Sequence, residues 1–100
     1  MIRDYTKVSS FPRTMQPLAR RVLKAGKEYV LEQYEKGYTP GWPEKFASII
    51  LTWHGNHYSI PYYVFGIENT DQTMIYSLSD HLGKEFAGEK IKIFAVGFMD

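Results

Sequence analysis

The sequence predicts an α+β fold, a two-layer domain in which an antiparallel β-hairpin and a C-terminal strand pack against two helices. Three observations predict it: helical spacing of apolar residues over 14–36, an alternating pattern that reverses direction within 46–65, and a further apolar alternating run over 90–98. The expected order is α-β-β-α-β. One hundred residues are enough for one core, so residues 1–100 are interpreted as a single domain whose residues 1–13 form an N-terminal arm or a short edge strand.

The first helix is expected to begin at Thr14, a suitable N-cap residue, and to run to about residue 36. Pro17 is tolerated in the first turn because the backbone N–H that proline lacks has no helical partner there. Gly37 is expected to end the helix. On a helical wheel the broad apolar face consists of Leu18, Val22, Ala25, Gly26, Tyr29 and Val30, with Leu23 and Tyr34 at its margin.

The hairpin is expected to turn on Gly55-Asn56, a two-residue loop of the kind that suits primed turns. The expected cross-strand pairs are His54 with His57, Trp53 with Tyr58, Thr52 with Ser59, Leu51 with Ile60, Ile49 with Tyr62 and Ala47 with Val64. The core face then contains Ala47, Ile49, Leu51, Trp53, Tyr58, Ile60, Tyr62 and Val64. The opposite face, which we expect to be open, is mixed and aromatic and contains Phe46, Ser48, Ile50, Thr52, His54, His57, Ser59, Pro61, Tyr63 and Phe65.

An alternative interpretation exists for the first half of this segment. Residues 43–55 also fit a short amphipathic helix, with Pro43 in its first turn and Gly55 just past its end. The β-branched residues of the segment and the strand-like partner segment 58–65 favour the hairpin.

Residues 73–86 fit two interpretations, a third strand of a meander or a second helix. The helix accounts for more residues and is preferred. Its apolar side contains Met74, Ile75, Leu78, Leu82 and Phe86, its outer side contains Ser77, Asp80, Lys84 and Glu85, and Thr70 is its candidate cap. The last strand, residues 90–98, is apolar on both faces over its second half, which is typical of central or covered strands. A crossover through the second helix would place it parallel to the second hairpin strand and beside the first.

Composition argues against several classes of protein. The absence of cysteine excludes disulfides, thiolate metal ligands and thiol nucleophiles. The glycines form neither a phosphate-binding loop nor a dinucleotide fingerprint, and Asp80-His81 is the one adjacent pair of an acid and a histidine. We therefore expect no enzyme and no cofactor. The sequence also lacks a signal-peptide pattern and an apolar run of membrane-spanning length, so we expect no membrane contact and a cytoplasmic location.

Two histidines beside the turn are the candidate metal ligands. If His54 faces His57 across the hairpin, their Cβ atoms lie about 5 Å apart and the two rings can share one metal ion. A site needs further ligands, and His81, Asp80 or Glu68 would reach it only in some topologies. We expect solvated turn residues here, and a metal site or small enzyme at His54 and His57 is the weak alternative.

Charge is distributed unevenly along the chain. Residues 1–27 carry seven basic residues and one acidic residue, whereas the remainder carries five basic and ten acidic residues. Within the first helix, Arg20, Lys24 and Lys27 form a stripe with Leu31 opposite the apolar face. Such asymmetry suggests an acidic partner for the basic part.

The sequence therefore favours a non-enzymatic interaction or inhibitor module that engages an acidic protein surface or a larger protein complex. A small, cysteine-free single domain would suit a phage or mobile-element protein of this kind. The expected partner-binding residues are Arg13, Arg20, Arg21, Lys24, Lys27, Leu31, Tyr63 and Phe65. Nucleic-acid binding through the basic residues is the alternative, and a homodimer is a further expectation for the open sheet face.

Overall fold

The computed structural model describes residues 2–4, 7–37, 48–65 and 72–96. Their helices and longer strands follow the predicted order, so the α+β fold is confirmed. The elements are β1 (Ile2–Asp4), α1 (Gln16–Glu35), β2 (Ser48–Trp53), β3 (Asn56–Pro61), α2 (Gln72–Glu85) and β4 (Ile91–Val96). The expectations for Phe46, Ala47, Glu68, Thr70 and Phe98 lie outside the described residues.

The N-cap of the helix α1 lies one residue later than predicted. Thr14 lies inside a 3-10 turn, Arg13–Met15, and the N-cap position is occupied by Met15, which makes no side-chain cap bond. The backbone N–H groups of Met15 and Gln16 instead donate to the Pro12 carbonyl, at 2.9 and 3.1 Å. At the other end Gly37 closes the helix as predicted, with a φ of 92° that favours glycine.

The hairpin is confirmed over residues 48–61, and the rival helix is therefore wrong for residues 48–53. Its register differs from the prediction, because the loop is His54-Gly55 rather than Gly55-Asn56. Both loop residues have a positive φ, 49° and 79°, as a type I′ turn requires. The observed pairs are Trp53 with Asn56, Thr52 with His57, Leu51 with Tyr58, Ile50 with Ser59, Ile49 with Ile60 and Ser48 with Pro61.

The predicted assignment of side chains to the two faces of the hairpin is correct, although the predicted register is wrong. Moving the loop by one residue moves every cross-strand partner by two, and side chains two apart lie on the same face. Ile49, Leu51 and Ile60 are fully buried on the predicted core face.

The second hairpin strand is shorter than predicted. It ends at Pro61, and Tyr62–Phe65 form a 3-10 helix that turns toward the core. Tyr62 and Phe65 are buried there. The prediction that Phe65 lies on the open sheet face is therefore wrong.

The sheet has the order β1-β3-β2-β4 in the described part of the chain. β4 pairs with β2 in antiparallel orientation, hence parallel to β3, as predicted. β4 is an edge strand among the described strands, and Phe94 on its face away from the helices is 43% exposed, so the expectation of a central or covered strand is wrong. At the other edge, residues 2–4 of the N-terminal arm form β1, which pairs in parallel with β3.

The helix α2 is confirmed, and the meander strand is wrong. This helix packs on β4 and β2, whereas α1 packs on α2 and on the 3-10 helix after β3. The buried core between the helices and the sheet includes Met15, Ala19, Val22, Leu23, Val30, Ile49, Leu51, Tyr58, Ile60, Tyr62, Phe65, Met74, Ile75, Leu78, Leu82 and Phe86. In the described parts of the chain, no helix combines the length and the apolar character that a membrane span needs.

Candidate functional site

The exposed side of α1 carries a continuous line of side chains, which we call the basic stripe: Arg20, Lys24, Lys27, Leu31 and Tyr34. At about 100° per residue these five positions fall within an arc of about 80° on the helix surface. The buried residues of α1, Ala19, Val22, Leu23, Gly26 and Val30, lie outside this arc. The stripe therefore lies beside the face of α1 that builds the core, and not on it.

All three cations of the basic stripe are exposed. The ion pairs among the described residues engage Arg21, Lys36 and Lys84 and leave Arg20, Lys24 and Lys27 unpaired. Three like charges on one side of a helix repel one another by a few tenths of a kcal/mol per neighbouring pair. An acidic partner would remove that repulsion.

The C-terminal end of the stripe is apolar. The Leu31 side chain is 60% exposed, and Tyr34 is also exposed. Tyr34 is 37% exposed, as expected at the margin of the buried face, and it continues the line of Arg20, Lys24, Lys27 and Leu31. A single exposed leucine is ordinary, whereas an exposed leucine and tyrosine in line with unpaired cations resemble an interface with a polar rim.

An acidic residue beside the stripe is neutralised locally. Lys36 Nζ lies 2.9 Å from Glu32 Oε1, one helical turn away. The hydrogen bond from Lys36, together with its positive charge, lowers the pKa of the Glu32 carboxyl. The same bond from the other side raises the pKa of Lys36. Because Glu32 already has this partner, it does not neutralise the stripe cations.

The two remaining basic residues predicted to bind a partner, Arg13 and Arg21, differ in whether they are engaged within the protein. Arg13 is exposed in the 3-10 turn before α1. Arg21 is engaged within the protein: its Nη1 donates to Glu89 Oε1 at 2.7 Å, and its guanidinium lies 5.4 Å from the centre of the Phe86 ring. Arg21 thereby links α1 to the segment after α2, and it is not available to a partner in the way that the stripe cations are.

The aromatic sheet face that the sequence predicted does not exist in that form. Tyr63 is 48% exposed but lies in the 3-10 helix rather than on the sheet, and Phe65 is only 1% exposed. The centre of the same sheet face is also covered, since Ile50 is 5% exposed although it belongs to no part of the helix-side core. Phe94 remains as an exposed aromatic residue on this face.

The two candidate metal ligands are separated by the observed register. His54 lies in the loop, where its ring meets the Trp53 ring edge-on at 4.2 Å. His57 lies opposite Thr52 and shares a 2.9 Å hydrogen bond between its Nδ1 and Thr52 Oγ1. They are not cross-strand neighbours, so the geometric premise of the metal alternative is wrong. Within the described residues, no three histidine or acidic side chains lie close enough together to hold a metal ion.

A polar cluster between the two helices was not predicted. The Tyr29 hydroxyl and Ser77 Oγ are hydrogen-bonded, and the His81 ring stacks on the Tyr29 ring at 4.3 Å. Asp80, the neighbour of His81, points elsewhere and lies 3.5 Å from Lys84. Spacing within α2 could have suggested the cluster, since residues 77 and 81 are one turn apart. Its contact with Tyr29 depends on tertiary packing.

Comparison with known proteins finds no matching family model, no matching curated protein and no matching solved structure. The function is therefore argued from the residues of this chain alone.

Proposed function

We propose that this protein is a non-enzymatic binding module that docks onto an acidic surface of a larger protein through the basic stripe of α1. The observation that carries the proposal is the exposed pair Leu31 and Tyr34 in line with three cations that no described residue pairs. An inhibitor or adaptor that covers part of a larger assembly would use such a surface.

The two ends of the stripe would contribute to binding in different ways. Unpaired surface cations accelerate encounter with an acidic partner, and this contribution weakens as salt screens the charges. A tyrosine and a leucine that lose water on contact would slow dissociation, and that contribution survives moderate salt. A stripe that has both a cationic end and an apolar end fits a protein partner better than a phosphate backbone, because a phosphate backbone would use only the cations.

Nucleic-acid binding is the second candidate because Arg20, Lys24 and Lys27 are spaced along one line of exposed positive charge. In that case the affinity would fall steeply with salt, with a slope of about 0.7 to 0.9 on logarithmic axes for each phosphate neutralised. Replacing Leu31 would then have little effect.

The experiment is an affinity capture from lysate, with and without nuclease, at low and at moderate salt. It compares the native protein with the triple variant Arg20→Glu, Lys24→Glu, Lys27→Glu. A matched control, Lys7→Glu, Lys90→Glu, Lys92→Glu, changes the net charge by the same amount at exposed positions outside the stripe. We expect one discrete protein complex that survives nuclease and moderate salt, is lost from the stripe variant and is retained by the control.

A capture that disappears with nuclease would contradict the proposal and would place nucleic acid first. Equal loss from both triple variants would show that net charge, rather than the stripe, is responsible. If no variant differs from the native protein, the stripe is only a solvated surface and the proposal is wrong.

A further inference from the structure

An open cleft lies between the tip of the hairpin and the start of β4. Its volume is about 440 Å³, which falls in the range of sites that hold small molecules. It is lined by Thr52, His54, Gly55, Glu89, Lys90, Ile91 and Lys92. The lining thus brings together two ammonium groups, a hydroxyl group and an imidazole, all of which can donate hydrogen bonds to an anion.

The cleft carries a net positive charge. Lys90 and Lys92 are exposed, and no described residue forms an ion pair with either of them. Glu89 is the acidic residue among the described lining residues, and its Oε1 accepts a hydrogen bond from Arg21 Nη1 at 2.7 Å. Because Arg21 already offsets the charge of this carboxylate, Glu89 does not neutralise the lysines. An anion in the cleft would therefore meet two positive charges that no described acid offsets.

The register of the sheet places further hydrogen-bonding groups beside these lysines. Lys92, Thr52 and His57 are direct neighbours across β4, β2 and β3, so their side chains project from the same face of the sheet. Thr52 Oγ1 and His57 Nδ1 share a hydrogen bond of 2.9 Å. When the imidazole carries its hydrogen on Nδ1, Thr52 Oγ1 accepts it, and the Thr52 hydroxyl hydrogen is free to donate to an anion. His57 in this form makes the Thr52 hydroxyl a donor beside Lys92.

We propose that this cleft binds a phosphate group, either free inorganic phosphate or the phosphate of a small molecule. Lys90, Lys92 and Thr52 donate to the phosphate oxygens, and His57 holds the Thr52 hydroxyl in its donating orientation. A phosphate monoester suits these donors because it carries a charge of about −1.5 to −2 at neutral pH and three strongly accepting oxygens. A carboxylate carries one negative charge and two oxygens, so it matches the three donors less well.

The cleft suits a small ligand rather than a nucleic acid. Lys90 and Lys92 are two residues apart and line one cleft, so together they offset the charge of one phosphate group. A nucleic-acid backbone presents a charge on every nucleotide and is bound by cations that follow its length. The cleft is also separate from the basic stripe, none of whose residues line it.

The test is a titration of the isotope-labelled native protein, followed by nuclear magnetic resonance at constant pH and ionic strength. Sodium phosphate is added to one sample and glycerol 3-phosphate to another. We expect saturable shifts of the amide resonances of residues 52–57 and 89–92, without comparable shifts in the basic stripe. Tighter binding of glycerol 3-phosphate would assign a phosphorylated small molecule as the ligand, and tighter binding of inorganic phosphate would assign the free ion. Sodium acetate should bind more weakly than either.

Two variants test the donors. Lys92→Met removes one charge and keeps an unbranched apolar side chain, and we expect it to raise the Kd for phosphate by about tenfold or more, because a hydrogen bond between charged groups is lost. Thr52→Val keeps the branched shape, removes the hydroxyl and should raise the Kd severalfold. The matched control, Lys7→Met, removes the same charge at an exposed position outside the cleft and should leave the Kd unchanged. Circular dichroism confirms that each variant is folded.

Equal weakening by Lys92→Met and Lys7→Met would overturn the inference, because net charge alone would then account for binding. The absence of saturable shifts would overturn it too, as would acetate that binds as tightly as phosphate or a Thr52→Val variant that binds like the native protein. The inference is independent of the proposed function. The triple variant Lys7→Glu, Lys90→Glu, Lys92→Glu should lose phosphate binding and retain the captured protein complex, whereas the stripe variant should do the opposite.

Discussion

The ring of Phe65 occupies the space that any side chain at Gly26 would need. A Cβ built at Gly26 would lie 2.5 Å from Cε1 of Phe65, closer than such atoms approach in proteins. Phe65 is 1% exposed and has little freedom to move away. The glycine of α1 thus allows the chain after β3 to turn inward and deliver an aromatic ring to the core.

We expect Gly26→Ala to lower the free energy of unfolding by up to about 2 kcal/mol, because overpacking a core costs about 1 to 3 kcal/mol and alanine returns about 1 kcal/mol of helix propensity. Urea denaturation measures the change. The matched control is Gly83→Ala in α2, where an added Cβ meets no atom within 4 Å. That variant should be more stable than the native protein by up to about 1 kcal/mol. If Gly26→Ala is as stable as Gly83→Ala, the packing account is wrong.

The hairpin loop gives a prediction that depends on the register. His54 has a φ of 49°, a left-handed conformation that asparagine adopts at lower cost than most residues. His54→Asn creates the favoured Asn-Gly loop, and we expect it to raise the free energy of unfolding by about 0.5 kcal/mol after loss of the Trp53 ring contact. Chemical denaturation is again the measurement. In the Gly55-Asn56 register residue 54 would be a strand residue, so a clear destabilisation would contradict the observed loop.

The contact between α1 and α2 can be measured as a coupling. Tyr29→Phe keeps the ring that stacks on His81 and removes the hydroxyl that bonds to Ser77. Together with Ser77→Ala it forms a double-mutant cycle, for which we expect a coupling of about 0.5 to 1.5 kcal/mol. Additive effects of the two substitutions would show that this hydrogen bond does not join the helices in solution.

Several features of the fold could be predicted locally, because the spacing of apolar residues repeats along the helix or strand. The apolar spacing in 73–86 identified α2, and alternation in 48–61 identified the hairpin and its core face. The exact loop was ambiguous, because His54-Gly55 and Gly55-Asn56 both contain the glycine that a primed turn favours. The two faces of the hairpin were nevertheless predicted correctly, because the two registers shift each cross-strand partner by two residues and side chains two residues apart lie on the same face.

Other features depend on contacts between distant parts of the chain. Alternation continues past Pro61, and although proline is a local signal for the edge or end of a strand, it does not show that the chain turns inward there to place Phe65 beside Gly26. Arg20 and Arg21 are neighbouring exposed cations whose sequence context does not distinguish a free from an engaged side chain, yet Arg21 pairs with Glu89, 68 positions away. The candidate site was therefore only partly predictable. The exposed cations of α1 follow from helical spacing, whereas the engagement of Arg21 and the burial of Phe65 require the folded structure.

The most direct test of the central claim, that the basic stripe contacts a protein, is site-specific photo-crosslinking at Leu31. A photoreactive phenylalanine analogue replaces Leu31 in one sample and Glu85, an exposed residue of α2, in a control sample. After irradiation in nuclease-treated lysate we expect one discrete crosslinked protein from position 31 and none from position 85. Combining the position 31 probe with Arg20→Glu, Lys24→Glu, Lys27→Glu should abolish that product. No crosslinked protein at position 31, or the same product at both positions, would contradict the account.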